Sequence, residues 1–375
     1  MSGQSEPRTG AVPPGGTIGM LGGGQLGRMM ILAAARIGLR SHVFCPDAES
    51  PAFDVTPNGT VAAYDDEGAL ARFAEQVDVV TFEFENVPAD TAAFLAERTR
   101  LRPGAVALAT AQDRLREKEF LRDAGIAPAP FAAVANLEDL ASAIHAVGLP
   151  AILKTRRFGY DGKGQVRIDE QAEAAAAFAE IGHRPAILEA FVPFQCEVSV
   201  VLARSADGTN VTYDVAENQH ENHILRKSLV PAGIPVSLAD HARAIGSRIA
   251  TALDYVGVLA VEFFVTPDGD GMTLLVNEIA PRVHNSGHWT ELACPTSQFE
   301  QHIRAVAGWP LGKGGRRFDV CMTNLLGHEA DEWQRLAERP DGLLHLYGKR
   351  ETRNGRKMGH FTEIVHNGLD RSPQS

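Results

Sequence analysis

The run Val258-Leu259-Ala260-Val261-Glu262-Phe263-Phe264-Val265 holds a single charge among apolar residues. An apolar run of this length beside a turn reads as a buried strand, and a carboxylate inside it needs a partner. Thr266-Pro267-Asp268-Gly269-Asp270-Gly271 is dense in turn formers, and Met272 to Asn277 reads as the return strand of a hairpin. With Glu262 opposite Val276, Glu278 becomes its diagonal neighbour on the same face, with Cβ atoms roughly 7–8 Å apart. Carboxylates so placed can share divalent ions, and a one-residue slip would turn one of them away. For Glu278 alone, a solvated strand end is the competing reading. Pro281 then blocks the ladder. Arg282 to His288 follows, with a guanidinium, two imidazoles, an amide and a hydroxyl that no apolar core requires.

The chain before this hairpin alternates between short apolar runs and helical patterns. Thr17 to Leu21, Arg40 to Cys45 and Val77 to Phe82 read as strands, with a helix from Arg28 to Ile37. Such alternation predicts a doubly wound parallel sheet. Gly22-x-Gly24-x-x-Gly27 fits a dinucleotide loop with Asp47 as ribose partner. It fits equally a glycine turn that offers helix N–H groups to any phosphate, with Gln25 facing the ligand. Glu83-Phe84-Glu85-Asn86 lies at a strand's C-terminal end, where ligands bind in such sheets.

Thr110 is placed to cap a charged helix, Ala111 to Ala124, that carries Arg114. Ala151 to Lys154 reads as a strand ending in lysine, followed by the loop Gly159-Tyr160-Asp161-Gly162-Lys163-Gly164. Its N–H groups can close over polyphosphate while Lys154 neutralises charge, yet the spacing is not that of a Walker loop. Ala186 to Val192 is a strand with Glu189 near its end, an acceptor suited to a nucleotide's amine or hydroxyl. His220 falls in a polar stretch, Glu217 to His223, that reads as a loop in which a histidine is more often solvated. Five cations lie between Lys349 and Lys357, either a solvated basic hairpin or a phosphate clamp.

The net charge of −11 argues against a general nucleic-acid binder. No apolar run reaches the roughly 18 residues of a membrane span. The four cysteines form no metal or redox spacing and suit a reducing, cytoplasmic setting. Met1 to Gly16 is polar, lacks the apolar core of a signal peptide, and is expected to be disordered.

The ordered set of strand lysine, glycine lid, strand-end glutamate and paired acids resembles the ATP-grasp enzymes. Within them it is similar to the N5-carboxyaminoimidazole ribonucleotide synthetases of purine biosynthesis, from Thr17 to about Phe361. The most specific pieces are Gly22 to Gly27, Phe158 to Gln165, Asn277 to Trp289 and Gly355 to His360. The resemblance implies an α/β and α+β chain: a disordered extension 1–16, a doubly wound domain 17–110, an ATP-grasp domain 111–298 and a small C-terminal domain 299–375. It implies ATP on Arg114, Lys154, Gly159, Tyr160, Asp161, Gly162, Lys163, Gly164, Gln165, Glu189, Ala190, Phe191, Val192, Glu197, His220, Asn277 and Glu278. Magnesium would sit on Glu262 and Glu278. Aminoimidazole ribonucleotide would meet Gln25, Glu83, Asn285, Lys349, Arg356 and Lys357. Bicarbonate would be activated as carboxyphosphate, with Lys154 stabilising the transferring phosphoryl group and Arg282 and His284 holding the intermediate. A homodimer is the family's usual state. The chain past Phe361 is shorter and more polar than the family's last helix. A glycinamide ribonucleotide transformylase shares this layout, but the run Arg282 to Trp289, with Asn285 in place of an acid, favours the carboxylating enzyme. An NAD-dependent dehydrogenase would leave Glu262, Glu278 and the second glycine loop idle.

Overall fold

The structure is a computed structural model that describes residues 10–157, 159, 163–269 and 271–366. Three sheets carry it. The first is parallel, in the order Gly59–Thr60, Arg40–Phe44, Thr17–Leu21, Val79–Phe82. Its side chains alternate between two apolar layers, as a sheet covered on both faces requires. Ile18, Met20 and Val43 pack with Met29, Met30 and Ile31 on one side. Leu21, Phe44, Val80 and Phe82 pack with Leu70 and Phe73 on the other. This is the expected doubly wound arrangement, and its helix runs Gln25–Arg36.

A four-stranded antiparallel sheet follows, in the order Phe131–Val134, Ala186–Ala190, Ala151–Thr155, Gln165–Ile168. The largest sheet has nine strands. Its central path runs Gly271–Ala280, Gly257–Asp268, Cys196–Arg204, Ala216–Glu221, Ile224–Val230. It continues without a break into Val320–Leu326, Lys357–Ile364 and Gly342–Leu346. The C-terminal segment therefore extends the acid-bearing sheet. The helix Gln298–Ala307 packs against Gly257–Asp268 and against Gln25–Arg36. Its buried His302 ties this helix to the parallel sheet and to the large sheet, with Nε2 2.8 Å from Thr81 Oγ1 and Nδ1 accepting from the Val258 N–H at 3.0 Å. No helix among the described residues is long and apolar enough to cross a membrane.

Several expectations are corrected. The extension is not disordered up to Gly16. Val12 is buried, donates to the Ala307 carbonyl at 2.8 Å and accepts from the Trp309 indole at 2.7 Å. Residues 1–9 lie outside the described residues. Thr110 does not cap the charged helix. It closes the end of Ala105–Ala111, its hydroxyl on the Val106 carbonyl, and Asp113 caps Arg114–Asp123 instead. Asp113 wins because Arg156 grips the same carboxylate at 2.7 and 3.0 Å and fixes its direction. The polar stretch from Glu217 is a strand, Ala216–Glu221, turning at Asn222 and His223 with φ of 49° and 64°. Two left-handed residues in succession give the tight turn that suits a hairpin's twist.

Candidate active site

The three sheets meet around a cavity of about 710 Å³, within the roughly 300–1,000 Å³ typical of ligand clefts. The first sheet contributes Gln25, Glu83, Glu85 and Asn86. The small antiparallel sheet contributes Ile152, Lys154 and Gln165, joined by Gly159 and by Arg114 from the capped helix. The large sheet and the run after it contribute Glu197, His220, Glu262, Asn277, Glu278, Arg282, His284, Asn285 and Lys357. Residues spread over more than 300 positions of sequence thus share one cleft.

The acids meet more closely than the hairpin pattern implies. Glu262 pairs directly with Glu278, and Phe263 with Val276, so Asn277 is the extra residue of a β-bulge. The expected diagonal placement is therefore corrected: the bulge turns Glu278 squarely onto Glu262. The buried Lys118 anchors it, donating to the carbonyls of Val276 at 3.3 Å and Asn277 at 2.6 Å. Burial and the neighbouring Glu278 push the Glu262 carboxyl up to about 8. Ligand atoms of Glu262, Glu278 and His284 lie within 4.8 Å of one another. Two facing carboxylates, one of them buried, repel one another without a cation, so these donors fit a hard divalent ion.

Lys154 lines the cavity and donates to Glu189 Oε2 at 3.0 Å. Lys118 approaches the same oxygen at 3.7 Å. Burial opposes ionisation of Glu189, but the Lys118 and Lys154 ammoniums hold it at about 2. The other oxygen, Oε1, is buried with no hydrogen-bond partner. Phe191 reaches the cavity, whereas Ala190 and Val192 lie behind it, as does most of Glu189. Arg114 donates to the Gly159 carbonyl at 3.0 Å and lies 3.8 Å from Glu278. Gly164 closes the lid base at φ 72°, its carbonyl accepting from Thr155 at 2.8 Å, and Lys163 beside it is exposed. Tyr160, Asp161 and Gly162 lie outside the described residues. His220 is in a strand, not a solvated loop, with Nδ1 3.2 Å from Glu197. Burial opposes its charge and Glu197 more than compensates, leaving its pKa raised.

The polar run is braced from below. Gln298 accepts the His284 N–H at 2.9 Å and donates to the His284 carbonyl at 2.7 Å. Burial, then Arg282, pushes His284 well below the ordinary imidazole range, so it is neutral. Both polar atoms of the Asn285 amide are buried at the cavity with no hydrogen-bond partner. An unsatisfied amide facing a cleft is a ready ligand contact. Arg282 forks onto Glu85, with Nε on Oε2 and Nη2 on Oε1 at 3.2 Å. Burial opposes the charge on Glu85, but Arg282 holds it at about 2. This pair contributes stability that is present above Glu85's ordinary pKa and lost as pH falls toward 2. Acid titration of unfolding is expected to show that loss in the wild type and a shallower one in Glu85→Gln. Equal slopes would show that the fork does not carry the dependence.

The glycine turn is not an open phosphate cradle. Glu83 accepts from the N–H groups of Gly24 and of Gly27, the latter at 2.7 Å, so the protein's own carboxylate caps this helix. A Cβ on Gly24 would stand 2.7 Å from Glu83 Oε1, which explains the glycine. Of the basic segment, Lys357 reaches the cavity while Arg356 and Lys349 do not line it. Arg356 donates to the Glu351 carbonyl at 2.8 Å and Lys349 to the Lys357 carbonyl at 2.6 Å. Sequence reasoning missed Lys118, although it lies one turn beyond Arg114 on the same helix face. It also missed Phe194 and Phe264, stacked at 4.9 Å in the cavity wall.

Comparison with known proteins agrees along the whole chain. A model of the ribonucleotide synthetase preATP-grasp domain matches residues 16–112, the ATP-grasp domain 119–299, and the phosphoribosylaminoimidazole carboxylase C-terminal domain 320–370. N5-carboxyaminoimidazole ribonucleotide synthase of Brucella melitensis is 52% identical over 94% of this chain and 98% of its own. The Bacillus subtilis enzyme of that name is 44% identical over 93% and 91%. The Staphylococcus aureus synthetase complexed with ADP superposes with TM-score 0.88 at 39% identity over 94% of each chain. That of Aspergillus clavatus, in complex with ADP and 5-aminoimidazole ribonucleotide, gives 0.87 at 28% over 94% of each. With fold, cleft and full-length similarity in agreement, the chain belongs to the N5-carboxyaminoimidazole ribonucleotide synthase family of ATP-grasp ligases.

Proposed function

We propose that this chain carboxylates aminoimidazole ribonucleotide at its exocyclic amine, using bicarbonate and ATP and releasing ADP and phosphate. The observation that carries the reading is the bulge that sets Glu278 against Glu262 in a cleft also lined by Lys154, Arg282 and Lys357. Three units, 17–110, 111–298 and 299–375, share the work at that cleft. ATP lies between the small sheet and the large one, with Arg114, Lys154, Gly159 to Gln165, Phe191, Glu197, His220 and Asn277 around it. The unpartnered Oε1 of Glu189 is an acceptor at the back of this subsite. Glu262 and Glu278 would hold magnesium, which would supply positive charge against the transferring phosphoryl group. Lys154 adds a positive charge as a bicarbonate oxygen attacks the γ-phosphorus and the bond to ADP breaks.

The resulting carboxyphosphate is held by Arg282, oriented by Glu85, and by the neutral His284. It loses phosphate to give CO2, which the amine of the ribonucleotide attacks. The proton released from the amine passes to the departing phosphate. Gln25, Glu83 and Asn285 contact the ribonucleotide, whose 5′-phosphate lies toward Lys357, with Lys349 bracing the backbone of that lysine and Arg356 bracing the loop through the Glu351 carbonyl. The family resemblance supports a homodimer working in the cytoplasm.

Lys357 provides the test of orientation. A charged hydrogen bond to phosphate is worth roughly 1.5–3 kcal/mol, so Lys357→Ala is expected to raise KM for the ribonucleotide about 10- to 150-fold. KM for ATP should change little in the same steady-state assays. A rise confined to ATP would reverse the assignment of the two subsites.

A further inference from the structure

A second set of ligand-type side chains lies outside the cleft. Glu291, in the short helix Thr290–Ala293, faces two imidazoles from the C-terminal hairpin. These are His345 in Gly342–Leu346 and His360 in Lys357–Ile364. The two residues are direct cross-strand partners, and their rings stack at 5.3 Å with planes 21° apart. Glu291 Oε2 is 3.4 Å from His345 Nδ1 and 3.6 Å from His360 Nε2.

Two observations distinguish this cluster from an ordinary ion pair. Glu291 Oε2 and His360 Nε2 are both buried, and they meet one another and His345 only at 3.4–3.6 Å, as ion-pair contacts without the alignment of a hydrogen bond; against burial, the two imidazoles hold the Glu291 carboxyl at about 2. Donor atoms each about 2.0–2.1 Å from a tetrahedral ion lie roughly 3.3–3.5 Å apart, which is close to the spacing seen here. The outer nitrogen of His360 is already fixed. Its Nδ1 lies 3.0 Å from the buried Tyr347 hydroxyl, so a donating Nδ1–H leaves the Nε2 lone pair facing Glu291. That is the outer-sphere orientation metal-binding histidines use. Glu291 also borders a cavity of about 520 Å³, which leaves room for a water or anion as a fourth ligand.

We infer that Glu291, His345 and His360 form a binding site for a divalent transition-metal ion of the zinc class, separate from the carboxylate pair in the cleft. Two imidazoles and one carboxylate select such an ion over magnesium, which prefers oxygen donors. The ion ties the helix that ends the run Arg282 to Trp289 to the hairpin strand that begins at Lys357. It thus fastens two walls of the cleft from behind, as a structural staple.

The test uses the full chain, stripped with a chelator and returned to buffer with excess Mg2+ to occupy oxygen-donor sites. Zn2+ or Co2+ is then added and unbound metal removed. The expected result is one retained ion per chain, with a Co2+ visible spectrum of imidazole ligation. Glu291→Gln and His345→Gln should each weaken binding at least about 10-fold, the lower end of what losing even an outer-sphere partner costs. Both side chains are partly exposed, so these variants are expected to fold. Glu278→Gln should retain the ion unchanged. Failure of the wild-type chain to retain Zn2+, or loss of the ion in Glu278→Gln, would overturn the assignment whatever the other variants do. Equal retention by folded Glu291→Gln and His345→Gln would overturn it as well.

Discussion

Glu278→Gln is expected to lower magnesium-dependent turnover at least about 100-fold while leaving the fold intact, the scale of losing a major electrostatic contact to a reacting group. Glu278 opposes Glu262 across the bulge and is partly exposed to the cleft, so the amide fits without repacking a core. What it removes is one of two charges that together favour a divalent ion. Glu262 is buried, and losing its neighbour also removes a cause of its raised pKa. The variant should therefore keep the wild-type melting temperature, or exceed it, while losing activity. Turnover close to wild type at saturating magnesium would show that the pair does not hold the catalytic ion.

Lys118→Met is expected to have the largest effect on stability. Lys118 is 1% exposed, and its ammonium touches two bulge carbonyls as well as Glu189. Burial pushes its pKa down, while Glu189 acts in the opposite direction. Removing one member of a buried charge set typically costs about 3–5 kcal/mol, because the remaining groups are left without compensation. Lys154 still reaches Glu189, so about 3 kcal/mol is expected from denaturant unfolding. The bulge should also relax, and activity should fall further than Glu189's loss of one partner explains. A change below about 1 kcal/mol, the scale of an exposed ion pair, would mean that the bulge is fixed by the hairpin itself.

These two residues mark where the sequence is legible and where it is not. The parallel sheet and the strand ending near Lys154 are local patterns, and local patterns survive in a linear reading. The hairpin was equally visible, because Gly269 and Gly271 interrupt two apolar runs. Its register is not, because the bulge at Asn277 presents its carbonyls to a lysine 158 or 159 residues earlier. The stretch Glu217 to His223 reads as a loop because it is polar throughout. Up to Glu221 it is a strand because Asn218, buried, accepts from Ser228 at 2.9 Å and donates to Ser199 at 2.9 Å. A strand satisfied by side-chain hydrogen bonds carries no apolar alternation to read. Gly22 to Gly27 matched a phosphate loop because the motif records only backbone freedom. That Glu83 fills it is a contact 56 to 59 residues away. The cations at Lys349 to Lys357 were recognised as a group, but which of them reaches the cleft depends on the strand that begins at Lys357.

In the proposed function, one cleft couples ATP cleavage to carboxylation of the ribonucleotide amine. The most direct measurement follows ADP release together with the fate of labelled bicarbonate. ADP release should require magnesium and bicarbonate and be strongly stimulated by aminoimidazole ribonucleotide. NMR of the fresh, acid-labile product should place the label on a carboxyl bonded to the exocyclic nitrogen, not to ring carbon. Formate with glycinamide ribonucleotide should drive no ADP release. ADP release driven by that pair and indifferent to bicarbonate, or label found on ring carbon, would contradict the account.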